Sequence, residues 1–152
     1  MAYEETAKQV LWRLKFGRAR AGGSAIARIM QERCQVDRRS LIAYIPTATG
    51  RVRRRGYDQA ALIAHAYARA FELEVIPLLT RTGQLQQRTA TRQERLTQLR
   101  TAFVVTEPQR VRGRRVVVID DVVTTGGTLD AAASVLRLAG AHRVEGLVYA
   151  QA

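Results

Sequence analysis

The chain has 152 residues, the size of one ordinary domain, and needs no disulfide or metal to hold a core. No apolar run approaches the roughly 20 residues that span a bilayer, and the acidic N-terminus lacks the shape of a signal peptide, so we expect a cytoplasmic protein without membrane association. The net charge of +12 comes almost entirely from arginine, and the one cysteine, Cys34, excludes an internal disulfide and is expected to be a small buried residue.

The first elements in chain order are helical. Apolar side chains recur on one helical face across residues 4–16, which predicts a first helix. A segment rich in glycine and arginine, 17–23, predicts a break, after which Ser24 is expected to cap a second helix. Residues 41–46 form a short apolar run ended by proline, which is typical of a buried strand.

The middle of the chain alternates between basic, apolar and polar segments. Residues 47–56 are predicted to be a basic loop, and the alanine-rich segment 57–71 is predicted to be a helix. Residues 74–79 are predicted to be a second strand, and Pro77 indicates a sheet edge or a strand end. The polar segment 80–101 shows little apolar periodicity, so we expect it to be the most mobile part of the chain.

The last third carries the strongest strand and helix patterns. Strands are predicted at 103–105, 115–120 and 144–150, and a helix at 128–138 with Gly140 beyond its C-terminal end. The centre of the strand at 115–120, residues 116–119, is apolar on both faces, which is typical of a parallel sheet covered on both sides. We therefore expect an α/β fold with a mostly parallel, twisted sheet flanked by helices. Residues 1–152 are read as one domain, with a helical part at 1–40 and the core at 41–152.

One segment carries the chemistry. Asp120 and Asp121 end the predicted strand, and a turn rich in threonine and glycine then enters a helix. The backbone N–H groups of a helix N-terminus suit a phosphate, and glycine allows the phosphate to approach closely. The residues expected to bind a ribose 5-phosphate are Asp120, Asp121, Val123, Thr124, Thr125, Gly126, Gly127 and Thr128.

The paired acids and the turn are expected to bind different parts of the ligand. Acids beside a phosphate would repel it, so we expect Asp120 and Asp121 to accept hydrogen bonds from the ribose hydroxyls one sugar-length away. The alternative is an ordinary strand-to-helix turn with solvated acids. The full run of apolar strand, two acids, hydroxyls, two glycines and helix is far more specific than that alternative.

This segment resembles the phosphoribosyl pyrophosphate (PRPP) fingerprint of type I phosphoribosyltransferases, and the rest of the chain resembles their ComF (competence protein F) branch. The upstream resemblance lies in Lys15-Phe16, in residues 54–59, in Gln87 and Arg95, and in Ala102-Phe103. Three departures are the absence of a cysteine-rich zinc module, Asp58, which stands where the family tends to have asparagine, and Gln98, which stands where an asparagine often follows the arginine. The resemblance implies the type I fold with a small N-terminal hood-like segment, Mg²⁺ bound together with PRPP, no direct metal ligand from the protein, and a homodimer.

The resemblance also assigns two loops. Thr47 and Ala48 are implied to offer backbone N–H groups to the pyrophosphate, and Arg51 and Arg55 to offer charge, the alternative being a solvated basic loop. The polar segment resembles a loop that closes over the active site. Its candidates for contact with pyrophosphate or base are Gln87, Arg88 and Arg95. A surface loop with no catalytic part explains this segment equally well.

Three functions fit these observations. The first is an enzyme that transfers ribose 5-phosphate from PRPP, with Asp121 stabilising positive charge on the sugar, and the resemblance links it to DNA uptake. The second is a non-enzymatic sensor of PRPP or a nucleotide, with a basic surface that binds DNA or a protein partner. The third is a nucleobase salvage phosphoribosyltransferase. The acceptor of the ribose is not identified by the residues.

Overall fold

The structure is a computed structural model that describes residues 20–82 and 102–151. Five helices and five strands lie in these two ranges. The helices are α1 (Arg20–Arg33), α2 (Thr49–Arg55), α3 (Gln59–Arg69), α4 (Pro108–Val111) and α5 (Gly127–Leu138). The strands are β1 (Leu41–Tyr44), β2 (Leu79–Arg81), β3 (Phe103–Val105), β4 (Arg115–Val123) and β5 (Arg143–Gln151).

A parallel sheet forms the centre of the described chain. Its strand order is β1-β4-β5, with Leu41 opposite Val116 and Ile119 opposite Leu147. A parallel bridge between Ile42 and Val75 extends the sheet beyond β1. The predicted parallel sheet and the strands at its centre are therefore confirmed.

Helices cover both faces of this sheet because its central strands are apolar on both sides. Val117 and Ile119 of β4 point to one face, where they join a core built with α1 and α3. Val116 and Val118 point to the other face, where they pack with α5 and with residues of β2 and β3. Because successive side chains of β4 point to opposite faces of the sheet, β4 contributes to both cores, and the sheet is the middle of three layers.

The second strand was predicted only in part. Residues 74–79 do not form one continuous strand, because the chain pairs with β1 at Val75 and then turns away after Pro77 to begin β2 at Leu79. β2 pairs with β3 as a separate antiparallel ribbon, with Leu79 opposite Val105. This ribbon lies on the α5 side of the sheet.

Three further expectations were wrong. Ser24 lies inside α1 and does not cap it, since the helix already includes Arg20. The predicted break at 17–23 is helical from Arg20 onward, and Gly23 lies close to α3, with 3.4 Å between an ideal Cβ on Gly23 and Cβ of Leu62. Residues 49–55 are helical, not a loop, and Gly56 ends this helix with a left-handed backbone at φ 81°.

Cys34 was expected to be buried, and it is exposed. It follows the last residue of α1, and its backbone carbonyl accepts a hydrogen bond from the Tyr67 hydroxyl at 2.6 Å. That bond fixes the backbone while the thiol points outward. The helix predicted at 4–16 and most of the polar segment 80–101 lie outside the described residues, and none of the described helices is long and apolar enough to cross a membrane.

Candidate functional site

The acidic pair lies near the carboxyl end of β4, the edge at which parallel α/β sheets bind ligands. β4 is longer than predicted and continues to Val123. Asp120 lies opposite Val148 of β5, and its carboxylate accepts the backbone N–H of Asp121 at 2.9 Å. Both acids are partly buried, so their charges are poorly screened by water.

The turn after β4 exposes the N-terminus of α5. Gly126 is the N-cap with φ 80°, a left-handed conformation that glycine adopts without strain, and no side chain caps the helix. Its carbonyl accepts the N–H of Asp130 at 2.9 Å, which starts the helical ladder. The N–H groups of the first turn have no partner within the helix, so this turn can bind an anion.

A small cavity of about 40 Å³ lies in this turn. The residues that line it are Asp120, Val122, Val123, Thr124, Thr125, Gly126, Gly127, Thr128 and Leu129. The structure therefore brings together seven of the eight residues predicted to hold ribose 5-phosphate. Asp121 is not part of this lining, and its Oδ2 accepts a hydrogen bond from Gln59 of α3.

Asp121 faces α3, on the opposite side of β4 from α5. Its Oδ2 accepts a hydrogen bond of 2.6 Å from Nε2 of Gln59, and its Oδ1 accepts the backbone N–H of Val122 at 2.9 Å. The amide oxygen of Gln59 in turn accepts from Nη1 of Arg55 at 3.3 Å. A chain of side chains thus runs from α2 through α3 to the end of β4.

A second connection holds the segment that follows β1. The backbone N–H and the hydroxyl of Thr47 donate to Asp58 at 2.8 and 3.1 Å. Asp58 also caps α3 by accepting the N–H of Ala61 at 3.2 Å. Thr47 and the adjacent Ala48, the N-cap of α2, are therefore positioned by α3, while Arg51 lies exposed on the first turn of α2.

Arg81 reaches the same edge of the sheet from β2. Its Nε donates to the carbonyl of Pro46 at 2.7 Å, and its guanidinium lies over the ring of Phe103, 5.1 Å from the centroid. Asp120 and Arg81 interact electrostatically. Burial, and then the negative charge of Asp121, raises the pKa of Asp120 to about 7, and Arg81 partly opposes this rise. Asp120 can therefore change charge near neutral pH.

Two residues of the site were missed from the sequence. Gln59 belongs to the motif at 54–59, but its contact with Asp121 joins residues 62 positions apart and has no local signal. Arg81 was read only as the start of the polar segment. The predicted loop residues Gln87, Arg88 and Arg95 lie outside the described residues, so their roles remain predictions.

The site offers few metal ligands of its own. Within residues 20–82 and 102–151, no group of three or more histidine, cysteine, aspartate or glutamate side chains is arranged to hold a metal ion. The adjacent carboxylates of Asp120 and Asp121 could still contribute one or two oxygens. That number fits a hydrated Mg²⁺ whose remaining ligands are waters and the phosphates of a substrate.

Comparison with known proteins identifies the family. The phosphoribosyl transferase domain family matches residues 58–151. DNA utilization protein YhgH of Salmonella typhi is 32% identical over 143 residues, which cover 87% of this chain and 61% of that protein. The chain thus spans about 61% of the length of this curated relative. An adenine phosphoribosyltransferase of Mycobacterium avium is 68% identical over 31 residues, 20% of this chain and 17% of that enzyme.

Solved structures agree on the fold. Glutamine phosphoribosylpyrophosphate amidotransferase from B. subtilis, complexed with ADP and GMP, superimposes with a TM-score of 0.61 at 19% identity, over 84% of this chain and 26% of that one. At this identity the likeness concerns the fold alone, which is that of type I phosphoribosyltransferases. These findings confirm that the chain belongs to the phosphoribosyl transferase domain family, and most of its length is similar to the DNA utilization protein.

Proposed function

We propose that this protein binds a phosphoribosyl ligand, PRPP or ribose 5-phosphate, at the end of β4. The observation that carries the proposal is the cavity between Asp120 and Leu129. It combines an uncapped helix N-terminus, which attracts a phosphate, with a carboxylate that can accept hydrogen bonds from sugar hydroxyls. A ribose 5-phosphate carries both groups on one small molecule.

A basic region of the protein would bind the second half of PRPP, the pyrophosphate. Arg51 and Arg55 of α2 lie next to the segment Thr47-Ala48, which Asp58 holds against α3. Mg²⁺ bound to the pyrophosphate would neutralise part of its charge and assist its departure. The carboxylates of Asp120 and Asp121 are the residues of this edge that could contribute oxygens to that ion.

The reaction supported by this arrangement is pentosyl transfer. A nucleophile, such as a base or an amine, would form a bond to C1 of the ribose while the bond from C1 to the pyrophosphate oxygen breaks. Positive charge develops on the sugar in such a displacement. Asp121, whose two oxygens accept the N–H groups of Gln59 and Val122, would lie at this end of β4 to stabilise that charge.

Ligand binding is tested by thermal unfolding with PRPP, with and without Mg²⁺. A ligand present at 100 times its Kd stabilises the folded state by about 2.7 kcal/mol, which is readily measured as a rise in Tm. We expect this rise in the wild type and its loss in Asp120→Asn/Asp121→Asn. Asp37→Asn is the matched control because Asp37 precedes β1, outside the acidic edge. No stabilisation of the wild type would refute the proposal.

Catalysis is tested separately by pyrophosphate release from PRPP in the presence of a panel of bases and amines. Release that depends on one acceptor would establish an enzyme. Binding of PRPP without release across a broad panel would favour the alternative, a sensor of phosphoribosyl compounds. An acceptor restricted to purine bases would favour salvage of the kind named for the adenine phosphoribosyltransferase that the chain matches over a short segment.

A second candidate function is association with DNA. It is favoured by the net charge of +12 and by the similarity to a protein named for DNA utilization. Binding that depends on arginine–phosphate contacts weakens as salt rises, because counterions are released on association. We expect a gel shift with single-stranded DNA at low salt that fades as salt is raised. Absence of a shift at low salt would count against this candidate.

A further inference from the structure

Gln59 is a polar side chain in an otherwise apolar layer. It occupies the first position of α3, and only 2% of its surface is exposed. Burying an amide is unfavourable unless its hydrogen bonds are satisfied. Both ends of this amide have partners, and both partners are charged residues of the candidate site, Asp121 and Arg55.

These partners fix the orientation of the amide. Arg55 can only donate hydrogen bonds, so the group facing it at 3.3 Å must be the amide oxygen. The amide nitrogen then donates to Asp121 at 2.6 Å. With the N–H of Val122 on its other oxygen, Asp121 accepts a hydrogen bond at each of its two oxygens.

Arg55 is in turn held by Gln59. It is the last residue of α2, and its Nε is buried without a hydrogen-bond partner within the described ranges. The contact of Nη1 with Gln59 is therefore the hydrogen bond through which its guanidinium is joined to the sheet edge. A change at Gln59 would release Arg55 and Asp121 together.

We propose that Gln59 is a positioning residue that couples Asp121 to Arg55, so that the acidic end of β4 and the basic helix α2 bind the two halves of one phosphoribosyl ligand cooperatively. This inference rests on the proposed function. The alternative is that Gln59 only fastens α3 to the sheet. Gln31 is an example of an amide with such a structural role. It joins α1 to α3 by donating to the backbone carbonyls of Ala66 and Tyr67, at 3.1 Å each.

The coupling is tested by a double-mutant cycle on the affinity for ribose 5-phosphate, measured by calorimetry, with Gln59→Met, Arg55→Met and the double variant. Loss of a hydrogen bond to a charged group lowers affinity by about tenfold to a hundredfold, which is the effect expected of Gln59→Met. Arg55→Met should weaken binding when Gln59 is present and have little further effect once it is replaced. Effects that simply multiply would overturn the coupling. The controls, Gln31→Met and Arg69→Met, remove a fastening amide and an exposed arginine at the far end of α3.

A pH profile separates positioning from fastening. Gln59→Glu places a second carboxyl group against Asp121. Relative to the wild type at the same pH, affinity should therefore be lost at high pH and recover as pH falls, when a protonated Glu side chain can donate to Asp121. Gln59→Met cannot donate at any pH and should show no recovery. Identical pH profiles in the two variants, with Tm values confirming that both are folded, would overturn the inference. A wild type that binds neither ribose 5-phosphate nor PRPP would instead refute the proposed function, and this inference with it.

Discussion

Thr47 is tied to Asp58 by two hydrogen bonds, one from its backbone N–H and one from its hydroxyl, each to a different carboxylate oxygen. One of these oxygens also caps α3 through the N–H of Ala61. Three donors therefore converge on one carboxylate. An asparagine at this position could satisfy only the donors that reach its single oxygen.

Asp58→Asn should therefore destabilise the protein while preserving the cap of α3. The Asn amide nitrogen would face the N–H of Thr47, so one hydrogen bond is lost and two donors oppose each other. We expect a loss of about 1–2 kcal/mol in the free energy of unfolding, measured by urea titration. Asp37→Asn is the control, because Asp37 accepts the N–H of Arg39 in an exposed turn and should change stability much less. Equal losses in the two variants would contradict the role given to Asp58.

Gly126→Ala tests the turn that enters α5. The backbone at Gly126 has φ 80°, and an alanine there costs about 1–2 kcal/mol because of its Cβ. The nearest atom to that Cβ would be Oδ2 of Asp130 at 3.9 Å, so strain rather than collision is expected. The shifted turn should also weaken PRPP binding. Gly113→Ala is the control, since its φ is 68° with open space around it and it lies away from the acidic end of β4, so stability should fall and binding should not.

Asp120→Asn should change stability in a pH-dependent way. The pKa of Asp120 in the folded protein, about 7, lies above the ordinary value of 3.8, so the folded chain holds its proton more tightly than the unfolded chain between these values. Stability from this group is present below about pH 4 and is lost as pH rises through 7. Asparagine does not titrate, so Asp120→Asn removes this loss of stability at high pH. The variant should be more stable than the wild type at pH 8 by up to about 4 kcal/mol and should differ little from it at pH 4. A constant effect from pH 4 to pH 8, in urea titrations, would show that Asp120 does not titrate in this range.

The parts of the fold that could be predicted are those with a strong local pattern. β4 follows from the apolar run 116–119, and α5 follows from a helical pattern bounded by glycines. Gly140 beyond α5 has the left-handed φ of 97° expected there. α2 was missed because its charge suggested a solvated loop. Arginine is nevertheless a good helix former, and Gly56 supplies the C-terminal stop.

The candidate site could likewise be predicted only where its residues are close together in the sequence. The candidate phosphate site lies within the ten consecutive residues from Asp120 to Leu129, so it could be predicted from their composition and order. The contacts of Gln59 with Asp121 and of Arg81 with Pro46 join distant segments, and they depend on how the sheet and the β2–β3 ribbon meet. Such pairs cannot be derived from spacing along one chain.

Substitutions at Arg81 test whether its positive charge affects the pKa of Asp120. Arg81→Met removes a positive charge near Asp120, so the pKa of Asp120 should rise further and PRPP binding should need a higher pH. The same variant loses the hydrogen bond to Pro46 and the contact with Phe103, which should lower stability by about 1–2 kcal/mol. Arg81→Lys keeps the charge and loses the planar geometry, so it should share the loss of stability but keep the pH dependence of the wild type. A pH midpoint of PRPP binding that moves equally in both variants would show that geometry, not charge, links Arg81 to Asp120.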